Sequence, residues 1–304
     1  MTIQLERSGV TTFDGVRLNV ETTGPADAPV TVLLVHGWTC STRAWHNQVE
    51  ELPRILGADG VRVVSYDHRG HGRSDAAPAG SMRIEQLADD LVTVLDTVVG
   101  DGPVVYAGHS MGGMTLMALA AERPDLFGPR IQAAALVSTS CGQCGSGAFG
   151  LPKRLDPATA VLAPRAMNRV STRIERRTTT SPLATRLQKP ALRRMVFGRK
   201  PDPAEVDLFL SDLAVVPGPS YGGFFEAILQ HDCAHALKVL DQLPVEIMHG
   251  TRDRLLPPRH ANRMAAELPT ARLWMYPGAG HMLMQERPRD VTHRLASLAR
   301  KITA

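Results

Sequence analysis

Short, continuous apolar runs recur along the chain, and most of them are rich in β-branched residues. Runs of this kind are typical of strands that are buried on both faces of a parallel sheet. The predicted strands span residues 31–37, 61–67, 104–109, 134–139, 245–250 and 271–277. A hairpin precedes them, because residues 11–13 and 16–20 flank the tight-turn pair Asp14-Gly15.

Helical patterns lie between these runs. In residues 84–99 the apolar side chains recur at the spacing of one helix face, and further helices are predicted over 111–122, 259–268 and 289–301. Strands that alternate with helices indicate the α/β class, with a mostly parallel central sheet and helices on both of its faces.

Residues 142–241 interrupt this alternation. They contain prolines, arginines and no further buried strand, and helices are predicted over 163–177, 183–197, 204–215 and 224–231. The remaining 1–141 and 242–304 then form one core domain. We expect the inserted residues to lie over one end of the sheet.

The composition is that of an ordinary folded protein. The 304 residues are 43% hydrophobic and 21% charged, which suits one sizeable core and excludes general disorder. Four cysteines are too few for a disulfide scaffold, and the Cys141 and Cys144 pair lacks the second ligand pair of a zinc site. His231 and His235 lack a third ligand, so no metal site is predicted.

The start of the chain has no basic region followed by an apolar run, and no stretch reaches the length of a membrane-spanning helix. We therefore expect a cytoplasmic protein without a transmembrane segment.

Charge is concentrated in residues 165–200. This segment carries eleven Arg or Lys residues and one acid, Glu175, although the net charge of the whole chain is only +4. A solvated helical face and a docking surface for an acidic partner are both open interpretations. Nucleic-acid binding is not expected, because the segment has almost no aromatic residues among its basic ones and the total charge is small.

A G-x-S-x-G motif, Gly108-His-Ser-Met-Gly112, follows a predicted strand and opens a predicted helix. A sharp strand-to-helix turn would lift the Ser110 hydroxyl clear of the sheet, and neighbouring side chains would clash there, so glycine is needed on both sides. Ser110 could instead be a simple helix N-cap, but that interpretation leaves the flanking glycines unexplained. A serine nucleophile needs a base within hydrogen-bond reach.

His281 and Asp253 are the candidate partners of Ser110. Each directly follows one of the last two predicted strands, so all three residues fall at the carboxyl ends of parallel strands. The chain order Ser, Asp, His is the order of this motif class.

Five motifs in order make the chain resemble the α/β-hydrolase family over 11–141 and 242–301. They are His36-Gly-Trp, Asp67-His-Arg-Gly-His-Gly-Arg-Ser, Gly108-His-Ser-Met-Gly-Gly, Gly250-Thr-Arg-Asp and Gly280-His. The resemblance implies an oxyanion hole made of the backbone N–H groups of Trp38 and Met111. It also implies that 142–241 is a helical cap over the substrate pocket, and that the Asp67 motif is structural. We expect structural hydrogen-bonding roles for His36 and His109, which flank the proposed site.

The implied chemistry is acyl transfer by a Ser-His-Asp triad, with no metal or cofactor. The leading expectation is a carboxylesterase or lipase-like enzyme (EC 3.1.1) acting on a small or medium apolar ester. Tyr221, Phe224 and Phe225 are candidate pocket residues, and they could equally form the core of the cap. A thioesterase, lactonase, carbon–carbon bond hydrolase or cofactor-free perhydrolase would use the same triad. A non-catalytic ligand-binding protein on this scaffold is the alternative of another class.

Overall fold

Eight strands form one sheet in the computed structural model, which describes residues 5–145 and 182–304, with the backbone alone for 182–188. In chain order they are β1 (Glu6–Thr11), β2 (Arg17–Thr23), β3 (Thr31–Val35), β4 (Arg62–Tyr66), β5 (Val104–His109), β6 (Ile131–Val137), β7 (Val245–Gly250) and β8 (Arg272–Tyr276). Across the sheet the order is β1-β2-β4-β3-β5-β6-β7-β8. Only the β1–β2 and β2–β4 pairs are antiparallel, so the predicted mostly parallel sheet is confirmed.

Helices cover both faces of the sheet. The described helices are α1 (His46–Leu56), α2 (Ile84–Val94), α3 (Met111–Glu122), α4 (Pro182–Val196), α5 (Pro203–Val215), α6 (Gly218–Gln230), α7 (Leu237–Leu240), α8 (Arg259–Glu267), α9 (Leu283–Glu286) and α10 (Pro288–Thr303). Side chains of α2, α3 and α8 pack in one hydrophobic cluster, and those of α1 and α10 pack in the other. This arrangement confirms the predicted fold class.

The central strand β3 shows why the strands read as continuous apolar runs. Leu33 and Val35 point into the cluster on one face, whereas Val32 and Leu34 point into the cluster on the other. All four side chains are fully buried. Since neither face of this strand meets water, no polar residue interrupts its pattern.

The described part of the segment between β6 and β7 holds α4 to α7 and no strand of the sheet. An antiparallel bridge between Gly142 and Asp232 joins the beginning of this segment to its end. The cap boundaries 142–241 stay a prediction. The predicted helix over 163–177 and the basic residues before 182 lie outside the described residues, whereas Arg193 and Lys200 are described and exposed.

Three of the differences from the sequence prediction have a clear physical reason. Helix α1 was missed, because its pattern is mostly polar and contains Pro53. Strand β1 begins at Glu6, earlier than expected, because an edge strand that exposes nearly all its side chains carries no apolar pattern. Helix α6 begins at Gly218, before the predicted start at 224, because a proline such as Pro219 is accommodated in the first turn of a helix.

The Asp67 motif holds the loop after β4 in place through two buried networks. Asp67 accepts hydrogen bonds from the backbone N–H groups of Thr42 (2.7 Å) and Arg73 (2.9 Å). The buried Arg69 guanidinium bonds Asp90 at 2.6 and 2.7 Å and Asp14 at 2.7 and 3.0 Å. The hydrogen bonds from Arg69 lower the pKa of Asp14 to about 2. These contacts agree with a structural role for the motif.

Replacing Arg69 by methionine is expected to lower the free energy of unfolding by ~3–5 kcal/mol, because it leaves the buried Asp90 carboxylate without its partner. Urea titration followed by circular dichroism measures this change. Arg54→Met is the matched control, since Arg54 pairs with Glu50 and Glu51 at the surface and should change stability little. An equal effect of both substitutions would contradict the prediction.

Candidate active site

Ser110 lies in a strained turn between β5 and α3. Its backbone angles are φ 51° and ψ −114°, outside the regions that L-residues favour. A Cβ atom added at Gly108 would lie 2.6 Å from the Gly112 backbone, and one added at Gly112 would lie 2.4 Å from the Val35 carbonyl oxygen. Both glycines are therefore required by close backbone approach, as the motif predicted.

His281 and Asp253 lie side by side at the ends of β8 and β7. The His281 Nδ1 atom lies 2.7 Å from Asp253 Oδ2, and both side chains are buried. The other carboxylate oxygen, Oδ1, accepts hydrogen bonds from the backbone N–H groups of Leu255 (3.0 Å) and Leu256 (2.9 Å). An ionised carboxylate so held orients the imidazole with its Nδ1 protonated and leaves Nε2 able to accept a proton.

A second histidine lies beside the same carboxylate. His249 Nε2 lies 3.5 Å from Asp253 Oδ2 and donates a 2.7 Å hydrogen bond to the Leu256 carbonyl. Burial lowers the pKa of His249, which favours the neutral ring. Sequence reasoning missed this residue, although a histidine inside the buried run of β7 was the available signal.

Ser110 and His281 line one cavity of about 110 Å³. Within 5–145 and 182–304 no hydrogen bond joins the Ser110 hydroxyl to the His281 ring. Catalytic hydrogen bonds of this kind are often long without substrate and tighten in the complex.

The loop after β3 packs directly against the serine. A Cβ atom added at Gly37 would lie 2.9 Å from Ser110 Cβ and 2.7 Å from His109 Nδ1. The next backbone N–H belongs to Trp38, and Met111 N–H begins helix α3. Neither amide has an acceptor in the described part of the chain. Both are thus available beside Ser110, and a helix N-terminus favours negative charge.

Helices α4 to α6 supply half of the described lining residues of the cavity. The lining side chains from these helices are apolar or aromatic: Leu192, Met195, Val196, Phe209, Leu213, Tyr221, Phe225, Ile228 and Leu229. The described lining contains no Asp, Glu, Lys or Arg. No sequence motif marked most of these residues, because any apolar helix face would carry them.

Two of the three aromatic residues expected in the pocket line it. The Trp38 ring lies 4.6 Å from that of Tyr221 and 5.5 Å from that of Phe225, measured between centroids. Phe224 does not line this cavity, which corrects the expectation for that residue. It is fully buried in the core and its ring lies 5.3 Å from that of His71. Adjacent residues of a helix point in different directions, and here Phe225 points into the cavity whereas Phe224 points into the core.

The family model described as the alpha/beta hydrolase fold matches residues 30–288. This chain belongs to the α/β-hydrolase family. A bifunctional esterase/perhydrolase of Acinetobacter calcoaceticus is 28% identical to it over 275 residues, which is 90% of this chain and 92% of that protein. Lipase LipV of Mycobacterium tuberculosis is 38% identical over 149 residues, covering 48% of this chain and 53% of the lipase.

Among solved structures, a thermophilic esterase from Thermogutta terrifontis superposes on this α/β-hydrolase with a TM-score of 0.76. The sequences are 23% identical, and the alignment covers 98% of this chain and 100% of the esterase, so this likeness concerns the fold. Further relatives include haloperoxidases and epoxide hydrolases. Together the relatives support a hydrolase.

The histidines next to the turn of this α/β-hydrolase are held by backbone groups. His36 Nδ1 donates to the Gly37 carbonyl at 2.7 Å, and its Nε2 accepts from the His68 backbone N–H at 3.0 Å. His109 Nε2 donates to the His281 carbonyl at 3.0 Å. Burial lowers the pKa of His36 to about 4, so its ring is neutral at pH 7. These hydrogen bonds to backbone groups agree with the structural roles expected for His36 and His109.

The described residues contain no group of three His, Cys, Asp or Glu side chains placed to hold a metal ion. The four cysteines are free thiols, and burial raises the pKa of Cys144 to about 11. No helix within 5–145 or 182–304 combines the length and apolar character that crossing a bilayer demands.

Proposed function

We propose that this protein is a serine hydrolase that cleaves small, uncharged carboxylic esters through an acyl-enzyme at Ser110. The observation that carries the proposal is the 2.7 Å contact between His281 Nδ1 and Asp253, made where His281 shares a cavity with a strained serine. A serine nucleophile, a base and an orienting acid are the parts that acyl transfer requires.

In the proposed mechanism the Ser110 hydroxyl attacks the ester carbon while His281 Nε2 accepts its proton. Asp253 holds the imidazole by its Nδ1–H and stabilises the imidazolium that forms. The N–H groups of Trp38 and Met111 bind the developing oxyanion. His281 then protonates the departing alcohol, and a water molecule that His281 activates releases the carboxylic acid and restores Ser110.

The cavity wall supports a small and uncharged substrate. The cavity volume of about 110 Å³ is smaller than the ~150 Å³ of an apolar cavity that holds one benzene molecule. With no basic side chain among the described lining residues, a substrate carboxylate would lose its hydration without gaining a partner. We therefore expect short acyl groups to be preferred and charged ones to be rejected.

The test combines a fluorophosphonate probe with a panel of p-nitrophenyl esters. We expect the probe to label one residue, mapped by mass spectrometry to Ser110. We expect kcat/KM for the butyrate to exceed that for the palmitate by at least about tenfold, because chain atoms beyond the cavity gain no burial. The hemisuccinate ester is the charged control. A folded protein that the probe does not label would favour the non-catalytic ligand-binding alternative.

Perhydrolysis is a second candidate, favoured by the esterase/perhydrolase relative that matches over 90% of this chain. Hydrogen peroxide would replace water in attacking the acyl-enzyme, so that a peracid leaves and Ser110 recovers its proton. Peracid formed from acetate and hydrogen peroxide, measured by oxidation of a halide, would support this activity. A thioester and a lactone in the same assays would reveal the other acyl chemistries.

A further inference from the structure

The end of helix α4 is hydrogen-bonded to the loop that carries His281. The His281 backbone N–H donates to the Val196 carbonyl at 2.8 Å, and the Arg199 N–H donates to the Gly278 carbonyl at 3.0 Å. A segment of the inserted region therefore lies directly on the candidate base. The contact is through the backbone, so it depends on where both segments run.

One carboxylate joins these two segments. Glu286 Oε2 accepts the Gly198 backbone N–H at 2.8 Å, and Glu286 Oε1 accepts the Gly280 backbone N–H at 2.9 Å. Gly280 immediately precedes His281, and Glu286 ends the short helix α9 that follows it. Hydrogen bonds to an ionised carboxylate are stronger than neutral ones, so this bridge fixes both backbones.

The two backbones approach too closely for any side chain to lie between them. A Cβ atom added at Gly198 would lie 2.1 Å from the Gly278 carbonyl oxygen, and one at Gly280 would lie 2.5 Å from the Gly198 nitrogen. Glycine at both positions permits this approach. A displacement of either segment would be transmitted directly to the other.

The loop that carries Asp253 binds the same helix end. Arg254 Nη1 donates to the Arg194 carbonyl at 2.5 Å and lies 3.4 Å from the Phe197 carbonyl oxygen. The last carbonyls of a helix lack partners within it, and a cation there is favourable. The loops of the candidate base and the candidate acid thus meet at residues 194–199.

We propose that Glu286 is a positioning residue that fixes the His281 loop against residues 194–199. This end of α4 is then part of the active site. This inference rests on the proposed function, since its consequence for turnover requires His281 to act as the base. Glu286 itself does not line the cavity in the described part of the chain and contacts no reacting atom.

The test compares Glu286→Ala and Glu286→Gln with Glu267→Ala, a control at the exposed end of α8. We expect Glu286→Ala to lower kcat by about 10- to 100-fold, since displacing a catalytic group by about 1 Å can cost that much. KM should change by less than about threefold, because only Met195 and Val196 of the described wall belong to residues 194–199. Glu286→Gln keeps one acceptor oxygen and should show a smaller loss. The control should match the wild type.

Hydrogen exchange provides a readout that does not depend on activity. In Glu286→Ala the peptides containing Gly198 and Gly280 should exchange faster together, while peptides from β3 remain protected as in the wild type. Unchanged kcat with unchanged exchange would overturn the inference. Faster exchange at all peptides in Glu286→Gln would also overturn the inference, because it would indicate a general loss of stability.

The same experiment separates the two proposals. If the fluorophosphonate probe fails to label the wild type, the proposed function fails, and paired exchange at Gly198 and Gly280 still decides whether Glu286 joins the two segments. If the probe labels the wild type and both Glu286 variants at one rate, the positioning role fails and the proposed function stands.

Discussion

Alanine at position 110 is expected to lower kcat for the preferred ester by about 10⁴- to 10⁶-fold, because it removes the nucleophile of the proposed reaction. The fold should survive. The Ser110 hydroxyl makes no hydrogen bond within the described residues, and alanine keeps the Cβ atom and the same strained backbone. Ester hydrolysis and fluorophosphonate labelling measure the loss, and the thermal midpoint measures stability.

Ser138→Ala is the matched control for this substitution. Ser138 directly follows the neighbouring strand β6, also has a positive φ of 46°, and has a buried hydroxyl without a partner in the described residues. Its replacement should leave kcat unchanged. Residual activity above a trace in Ser110→Ala would contradict the assignment of the nucleophile. A Ser110→Ala, His281→Ala double variant should be no worse than Ser110→Ala alone, since the residues act as a unit.

Acid is expected to unfold this protein well before its carboxylates are fully protonated. Burial lowers the pKa of seven histidines in the described residues. In four of them the pKa falls to about 4 (His36, His231 and His260) or to about 3 (His71). In the unfolded chain each would titrate near 6.5. Between these values the unfolded state binds more protons than the folded state. The stabilisation is therefore complete above about pH 6.5 and is lost as the pH falls towards 4.

The size of this effect makes it measurable over a narrow range. At pH 5 each of the four histidines should have lost roughly 2 kcal/mol of its contribution to the free energy of unfolding. The total free energy of unfolding of a typical domain is only about 5–15 kcal/mol. Urea titrations at pH 7 and pH 5 should therefore differ by several kcal/mol. His71→Phe should make the dependence shallower, because a phenyl ring keeps the packing against Phe224 and cannot be protonated. A free energy of unfolding that is flat from pH 7 to pH 5 would contradict the prediction.

His46 provides a contrast of opposite sign. It is half-exposed and lies 3.2 Å from Glu205, and this hydrogen bond raises the pKa of His46. A raised pKa contributes stability below the unfolded value, and that contribution is lost as the pH rises through the folded value. Because the pair is partly exposed, its effect is small beside that of the four buried rings.

The elements around the nucleophile were predictable because local chemistry sets their ends. Strand β5 and helix α3 begin and end at the predicted residues, since Gly108, Gly112 and Pro124 bound them. Helix α1 was not predicted. Its mostly polar pattern indicates a helix only when α10, against which it packs, is known. Helix α10 lies more than 200 residues away in the chain.

The sequence by itself determined the fold class, the ends of β5 and the identity of Ser110, Asp253 and His281 as candidates, because turn sterics and strand patterns are local properties. Only the tertiary structure decided that Asp253 meets His281 at 2.7 Å, that Phe225 lines the cavity while Phe224 does not, and that Glu286 joins two distant glycine amides. These are contacts between segments far apart in the chain. They depend on the direction in which each helix and loop packs, and no spacing of residue types along the chain encodes that direction.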